Sequence, residues 1–375
     1  MWAGHAGISD THVYERYGDA IEKGAVPYRD FRPEYPPGAL AVFVVPSLLT
    51  DSRLSYERAF GVEMALLGAV CVGVVFLSLR ALGVPPVHLA AGVGAQAVAP
   101  LLLGPLLLTR FDLFPAALVA AALLLALTGH DRSAGGVLGA AISVKLYPIV
   151  LVPILAAWAW RRRGRHEALL VLGFCAVVAA CIFLPFALIA PSGLAWSVWD
   201  QLGRPLQIES LGAAILLALH QFGMPLGWSS SHGSQNLTGT VAAVASASTT
   251  VVQAGALLWI WTRFARRASV TEAELVGAAT ASLVAFVALG KVLSPQFLIW
   301  LLAGVALVRA RSQWAPLGLL VTACALTRGW FPHLYHLLVY TFDPLATWLV
   351  VARDLTLVAL LAVLLRQGRE RARSS

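Results

Sequence analysis

The sequence predicts an all-α, polytopic integral membrane protein, and three observations carry that expectation. Of the 375 residues, 59% are hydrophobic and only 12% charged. Mean hydropathy is +0.77. Apolar runs of roughly 18 or more residues recur along the whole length, each long enough to cross a bilayer. A soluble domain carries about 25% charged residues, and a membrane β-barrel would show short segments of alternating polarity instead. The formal net charge of +8 does not mark a nucleic-acid binder. The arginines stand in short clusters between apolar runs, a pattern that orients helices in a membrane with an anionic inner leaflet.

Those clusters set the expected topology. "RRRGR" (161–165), "RFARR" (263–267), "RAR" (309–311) and "RQGRERARSS" (366–375) are all expected on the cytoplasmic side. Residues 134–160 could form one long helix, but a single crossing would put its two arginine-bearing ends on opposite sides. Two short helices breaking at "KLYP" keep both inside. The same parity splits 275–308 at "GKVLSPQF" and 87–128 at "TRFDLFP", and a proline at each break supports the split. About eleven spans follow, near 59–80, 87–108, 112–128, 134–146, 148–160, 167–190, 238–262, 274–290, 297–308, 314–328 and 345–365. The N-terminus is then outside and the C-terminus inside. Residues 1–58 form a first extracytoplasmic loop with juxtamembrane helices, including a short one over Pro37–Leu49, and 191–236 form a second long loop. Neither a repeat nor a soluble linker divides the chain, so 1–375 reads as one transmembrane domain. The four cysteines lie in apolar runs and read as core packing; their spacing fits no metal site.

On this topology the polar motifs outside the cytoplasmic clusters gather on one face: "DTHVY", "PYRDFRPEYPP", "RFD", Lys145, "RPLQIES", "KVLSPQ" and "RGWFPH". The split helices hold about 12 to 17 residues, about 18 to 25 Å at 1.5 Å per residue, against a hydrocarbon core about 30 Å thick. Their polar tips are expected below the headgroups, in a cavity walled by protein, where charges are costly and usually functional. A basic cavity there suits a lipid whose phosphate sits near the surface.

In order, an acid about 20 residues ahead of "PYRDFRPEYPP", then "RFDLFP", "SVKLYP" and "KVLSPQFLIWLL", resembles the GT-C glycosyltransferases that use polyprenyl-phosphate sugars. The pattern is most similar to glycosyltransferase family 87, the bacterial polyprenol-phosphate-mannose-dependent α-mannosyltransferases. The resemblance implies a GT-C helical bundle and an inverting transferase that moves a hexose, by family default mannose, from a polyprenyl-phosphate donor to a glycolipid or polysaccharide acceptor. It implies no nucleic-acid partner. It also implies a span ahead of the first loop, so a span preceding Met1 is expected. The family's catalytic base is an Asp early in that loop, which falls here on Asp10. Substrate-binding candidates are Tyr14, Asp30, Arg32, Glu34, Tyr35, Arg110, Asp112, Lys145, Arg204, Glu209, Lys291, Gln296 and His333. A hydroxyl nucleophile needs a base within hydrogen-bond reach, and a leaving phosphate needs cations, for which Arg110, Lys145, Arg204 and Lys291 are suited. A lipid monophosphate needs less charge neutralisation than a nucleotide diphosphate, so no metal or other cofactor is expected.

Plainer readings stand beside these. Asp10 precedes a helical run at Thr11 and is placed to cap it. Asp30, Arg32 and Glu34 can pair within a solvated loop, Arg110 can pair with Asp112, and Lys145 and Lys291 can snorkel from helix ends. Glu63 has no evident partner, Arg353–Asp354 reads as a structural pair near the outer surface, and the "NLT" at 236 reads as a chance sequon. A lipid or sugar transporter remains the rival function. It predicts charges near mid-bilayer and often inverted repeats, whereas these charges gather at one end and no repeat is visible.

Overall fold

A computed structural model describes residues 9–308 and 314–374. The arginine cluster at 309–311 and the first eight residues lie outside the described residues. The element order opens with α1 (Thr11–Glu22), α2 (Leu40–Ser47), α3 (Arg53–Ala81), α4 (Pro86–Leu103), α5 (Leu106–Thr109) and α6 (Leu113–Leu127). It continues with α7 (Asp131–Val144), α8 (Val152–Arg163), α9 (Arg165–Ile189), α10 (Pro191–Leu202) and α11 (Leu211–His220). A hairpin of β1 (Gly227–Ser231) and β2 (Ser234–Thr238) follows, then α12 (Thr240–Ala265), α13 (Glu272–Leu289), α14 (Ile299–Leu307), α15 (Trp314–Trp330), α16 (Tyr335–Thr341) and α17 (Pro344–Ser374).

The helices begin and end for identifiable reasons. Pro36 and Pro37 enter a 3₁₀ turn over Pro37–Ala39 that leads into α2, since a fixed φ near −60° suits a first turn. Helix α7 stops at Val144, where Lys145 is extended, and the "YP" of Tyr147–Pro148 starts a 3₁₀ turn into α8. Helix α13 stops before Gly290, and Pro295 starts the turn into α14. Both breaks expected from charge parity are present. The run 87–128 breaks twice, because Gly104 takes a φ of 59° ahead of Pro105, before the second break at Arg110–Asp112.

Six helices are long and apolar enough to cross a membrane among the described residues: α3, α4, α9, α12, α13 and residues Pro344–Arg366 of α17. In α9 and α12 only 11% of the apolar stretch is buried within the protein. Leu184, Leu188, Val251 and Leu258 stand exposed there, the surface a lipid-facing helix presents. Cys181 is exposed too, which corrects its reading as core packing; Cys71, Cys175 and Cys324 are buried. Shorter apolar helices occupy Pro37–Ser47, Leu113–Leu127, Leu211–His220 and Pro295–Leu307.

The chain forms two compact units: residues 1–81 with 105–202, and 82–104 with 203–375. In the first, α7 packs against α9, α6 and the 3₁₀ turn at Pro37, and α3 packs on α6. Two glycines let α7 meet α9 at backbone distance. A Cβ on Gly135 would lie 2.3 Å from the carbonyl oxygen of Val171, and one on Gly139 2.3 Å from that of Cys175, the small-xxx-small packing of membrane helices. In the second unit, α17 packs on α15, α13 and α11, and α4 lies against α14 and α15.

The second long loop is not irregular. It contains α10, α11 and the hairpin, whose register runs from Gly227 opposite Thr238 to Ser231 opposite Ser234. The fold is therefore helical with a two-stranded addition rather than purely all-α. The hairpin's two-residue turn, His232–Gly233, has φ of 53° and 63°, as a type I′ turn requires. Asn236 of the "NLT" is fully buried and donates from Nδ2 to the Ser231 and Ser234 carbonyls, so it is not an accessible sequon.

Candidate active site

In the first unit, the chemistry gathers around one three-residue segment, Arg110-Phe111-Asp112, between α5 and α6. Asp10 occupies the N-cap position of α1, and its carbonyl accepts from the amides of Val13 and Tyr14. Its side chain does not cap the helix; the Ser9 hydroxyl accepts the Thr11 amide at 3.3 Å instead. The Asp10 carboxylate turns to form an ion pair with Arg110. The Arg110 side chain is 8% exposed and that of Asp10 36%, so a nearly buried cation meets a carboxylate that faces accessible space. The expectation that Asp10 caps α1 with its side chain is thereby corrected.

Two residues further on, Asp112 is 1% exposed and accepts from Lys145 Nζ at 2.7 Å. The Lys145 ammonium also lies 4.6 Å from the centroid of the Phe111 ring, within cation–π range. The break after α7 thus places Lys145 in an ion pair, and the snorkelling reading is corrected. Two ion pairs interleave with one aromatic ring. Tyr14 forms the floor beneath them: it is 1% exposed, stacks on Phe43 at 4.5 Å and meets Phe111 edge-on at 5.6 Å. Burial, then the neighbouring Tyr35 and Asp112, push its phenol well above the usual range. The structure gives Tyr14 a packing position rather than a surface one.

The proline-rich stretch is held from α10. Gln201 donates to the Glu34 carbonyl at 3.1 Å and Ser197 to the Tyr35 carbonyl at 3.4 Å, one helical turn apart. Tyr28 donates to the same Tyr35 carbonyl at 2.6 Å. Gly38 follows directly, and a Cβ there would stand 2.7 Å from the Ser143 carbonyl oxygen. The stretch therefore packs against the end of the helix that delivers Lys145. Asp30 is elsewhere: it pairs with Arg29 at 2.9 Å and accepts the Val26 amide at 2.7 Å, closing its own exposed loop. The Arg29 guanidinium, then that amide, bring its carboxyl down to about 2. The partner in the loop is Arg29, not Arg32, which is exposed and lies 5.7 Å over Trp196.

The second unit contains a separate polar group. The Gln207 amide donates to the Lys291 carbonyl at 3.0 Å, tying "RPLQIES" to the break after α13. The Gln207 side chain donates to Ser294 at 2.7 Å and to Glu209, both buried. The Glu209 carbonyl accepts from Arg353 at 2.6 Å. Arg353 and Asp354 do pair, at 2.6 Å, with both side chains fully buried. Lys291 is half-buried; burial, then the charge of Arg204, lower its ammonium below the ordinary lysine value. Gln296 is half-buried in the following turn, and His333 is exposed with Arg328 at 3.4 Å. Among the described residues, no group of three or more His, Cys, Asp or Glu is placed to hold a metal ion.

Residues 34–295 match the sequence profile of glycosyltransferase family 87, well over half of the chain. The chain belongs to glycosyltransferase family 87. The match begins at Glu34, so Asp10 and Tyr14 precede it, while Arg110, Asp112, Lys145, Arg204, Glu209 and Lys291 fall within it. No curated protein sequence matches the chain. Among solved structures, ArnT from Cupriavidus metallidurans bound to undecaprenyl phosphate aligns with a TM-score of 0.51 at 15% identity, over 98% of this chain and 74% of that one. The shared fold is that of GT-C enzymes. This family member is a multi-pass membrane glycosyltransferase of GT-C type.

Sequence reasoning missed Phe111, Ser197 and Gln201. Phe111 stood in the quoted "RFD", yet only the position of Lys145 shows what the ring does. Ser197 and Gln201 carry an i, i+4 signal on α10 that marks a polar helix face, but not what it touches.

Proposed function

We propose that this enzyme transfers a hexose, mannose by family default, from a polyprenyl-phosphate donor to a glycolipid or polysaccharide acceptor on the extracytoplasmic face. The observation that carries the reading is the Asp10 carboxylate, turned away from its helix to pair with the nearly buried Arg110. A cation beside a carboxylate favours the ionised form, the form that accepts a proton. In the proposed step Asp10 takes the proton of the acceptor hydroxyl as its oxygen bonds to the anomeric carbon. The bond from that carbon to phosphate oxygen breaks, the electron pair leaves with polyprenyl phosphate, and the anomeric centre inverts. Arg110 orients the base, and the Asp112–Lys145 pair with the Phe111 ring holds Arg110 in place. Lys291 with Arg204 is assigned to the donor phosphate, which needs no metal on this reading. That ArnT is seen with undecaprenyl phosphate supports the donor class.

The same proposal keeps about eleven spans, with the short helices reaching only part of the bilayer depth and the "KLYP" and "KVLSPQ" breaks on the outer side. The deciding experiment uses purified protein in lipid with a panel of labelled polyprenyl-phosphate sugars and a membrane-extract acceptor. Transfer from the mannose donor, with inverted product stereochemistry, is expected. Transfer from nucleotide sugars alone, or movement of lipid-linked sugar across the bilayer without transfer, overturns the reading.

A further inference from the structure

A cleft in the second unit, at the Glu272 end of α13, belongs to none of the machinery above. It is bounded by the last turns of α12, the first half of α13 and the Leu364–Leu365 stretch of α17, an open groove whose enclosed volume is about 60 Å³. Lys291 follows the other end of α13, an 18-residue helix that separates the two groups by about 27 Å at 1.5 Å per residue. Ile260, Phe264, Val308 and Leu364 give the cleft an apolar floor. Its α13 wall is made of small residues, Ala273, Gly277 and Ala278, and a Cβ on Gly277 would meet nothing within 4 Å.

The rim is cationic and fixed in place. Arg263 lies 5.1 Å over the Trp259 ring and donates to the Leu365 carbonyl at 3.3 Å. Arg267 pairs with Glu274, whose carboxylate is already engaged in the capping box of Thr271. Among the lining residues two arginines, Arg263 and Arg267, stand against one carboxylate, Glu274. Trp259 and Leu258, 39% and 59% exposed, continue the lipid-facing side of α12 to the same mouth.

We propose that this cleft is a binding site for an anionic phospholipid, its phosphate at Arg263 and Arg267 and one acyl chain along the apolar floor. Charge complementarity selects the occupant: guanidinium forks match phosphate oxygens, and a free phosphate would leave the predominantly apolar lining uncovered. Arginines near a membrane surface favour anionic over neutral headgroups, and tryptophan, here the partly exposed Trp259, is the residue type enriched at headgroup depth.

The test is native mass spectrometry of the full chain in neutral detergent, titrated with phosphatidylglycerol and with phosphatidylcholine of the same acyl chains. Wild type is expected to hold phosphatidylglycerol more tightly, and inorganic phosphate is not expected to compete it off. Arg263→Gln should weaken phosphatidylglycerol about fivefold. Gly277→Phe keeps every charge, fills the cleft and should abolish the preference. Because Arg263 also ties α12 to α17, Gly277→Phe is the variant that decides if Arg263→Gln does not fold. Both variants should turn over donor normally in phosphatidylcholine nanodiscs, so the result is independent of the assigned reaction. Equal affinity for the two lipids, displacement by inorganic phosphate, or wild-type preference in Gly277→Phe would each overturn the proposal.

Discussion

Lys145→Met separates two roles that one ion pair can serve. The substitution removes the ammonium 2.7 Å from Asp112, a carboxylate only 1% exposed. Removing one partner of a buried pair costs about 3–5 kcal/mol. Lys145 itself is 17% exposed, which places the cost at the lower end, about 3 kcal/mol. For a cooperative unit of 150–250 residues, each kcal/mol shifts Tm by about 2–4 °C, so a fall of roughly 6–12 °C is expected. Adding Asp112→Asn removes the stranded charge, and the double variant should recover most of that stability. Turnover should not recover with it, since the proposed assignment needs Arg110 and Asp10 held by an intact Arg110-Phe111-Asp112 segment. The assays are thermal unfolding in detergent and transfer of labelled sugar in lipid for wild type, both single variants and the double. A single variant with unchanged Tm refutes the energetic argument. A double variant that regains both Tm and turnover refutes any role for this pair beyond charge balance.

Other expectations can be checked directly. Asp10→Asn keeps the shape of the side chain but not the proton acceptor, and should lower turnover on the order of 10²–10⁴-fold with donor binding near normal; wild-type turnover would remove Asp10 as the base. Because burial and Arg204 lower Lys291, its charge is lost at a lower pH than an ordinary lysine's as pH rises. Donor KM should therefore climb on the alkaline limb, and Lys291→Arg should push that climb to higher pH; identical profiles would detach Lys291 from the phosphate. Gly139→Leu drives a side chain into the Cys175 carbonyl and should destabilise by about 1–3 kcal/mol or more, read as a lower Tm. Single cysteines at the exposed positions Arg29 and Arg165 should label from opposite sides of the membrane; labelling from one side contradicts the topology.

The long apolar helices and the breaks at "KLYP" and "GKVLSPQF" were legible in the sequence. Hydropathy, proline and arginine clusters are local properties, and positive-inside parity turns them into breaks at "KLYP" and "GKVLSPQF" that the structure contains. Motif order carried the family for the same reason, since each motif sits at a break that the chain itself encodes. The hairpin was also written there, in the His232–Gly233 dipeptide, but its short polar strands lack an apolar alternation to announce it. Tertiary structure alone decided the pairings. Asp10 and Arg110 are 100 positions apart, and nothing near Asp10 distinguishes a capping carboxylate from one turned toward a distant guanidinium. Lys145 chose Asp112 because the end of α7 is brought against the start of α6, and Asp30 chose Arg29 because its loop closes on itself. Tyr14 was legible as an aromatic, but only the packing of Phe43 and Phe111 around it made it a floor. Ion pairs are short-ranged and set by which surfaces the fold brings within about 4 Å, and no linear pattern specifies that.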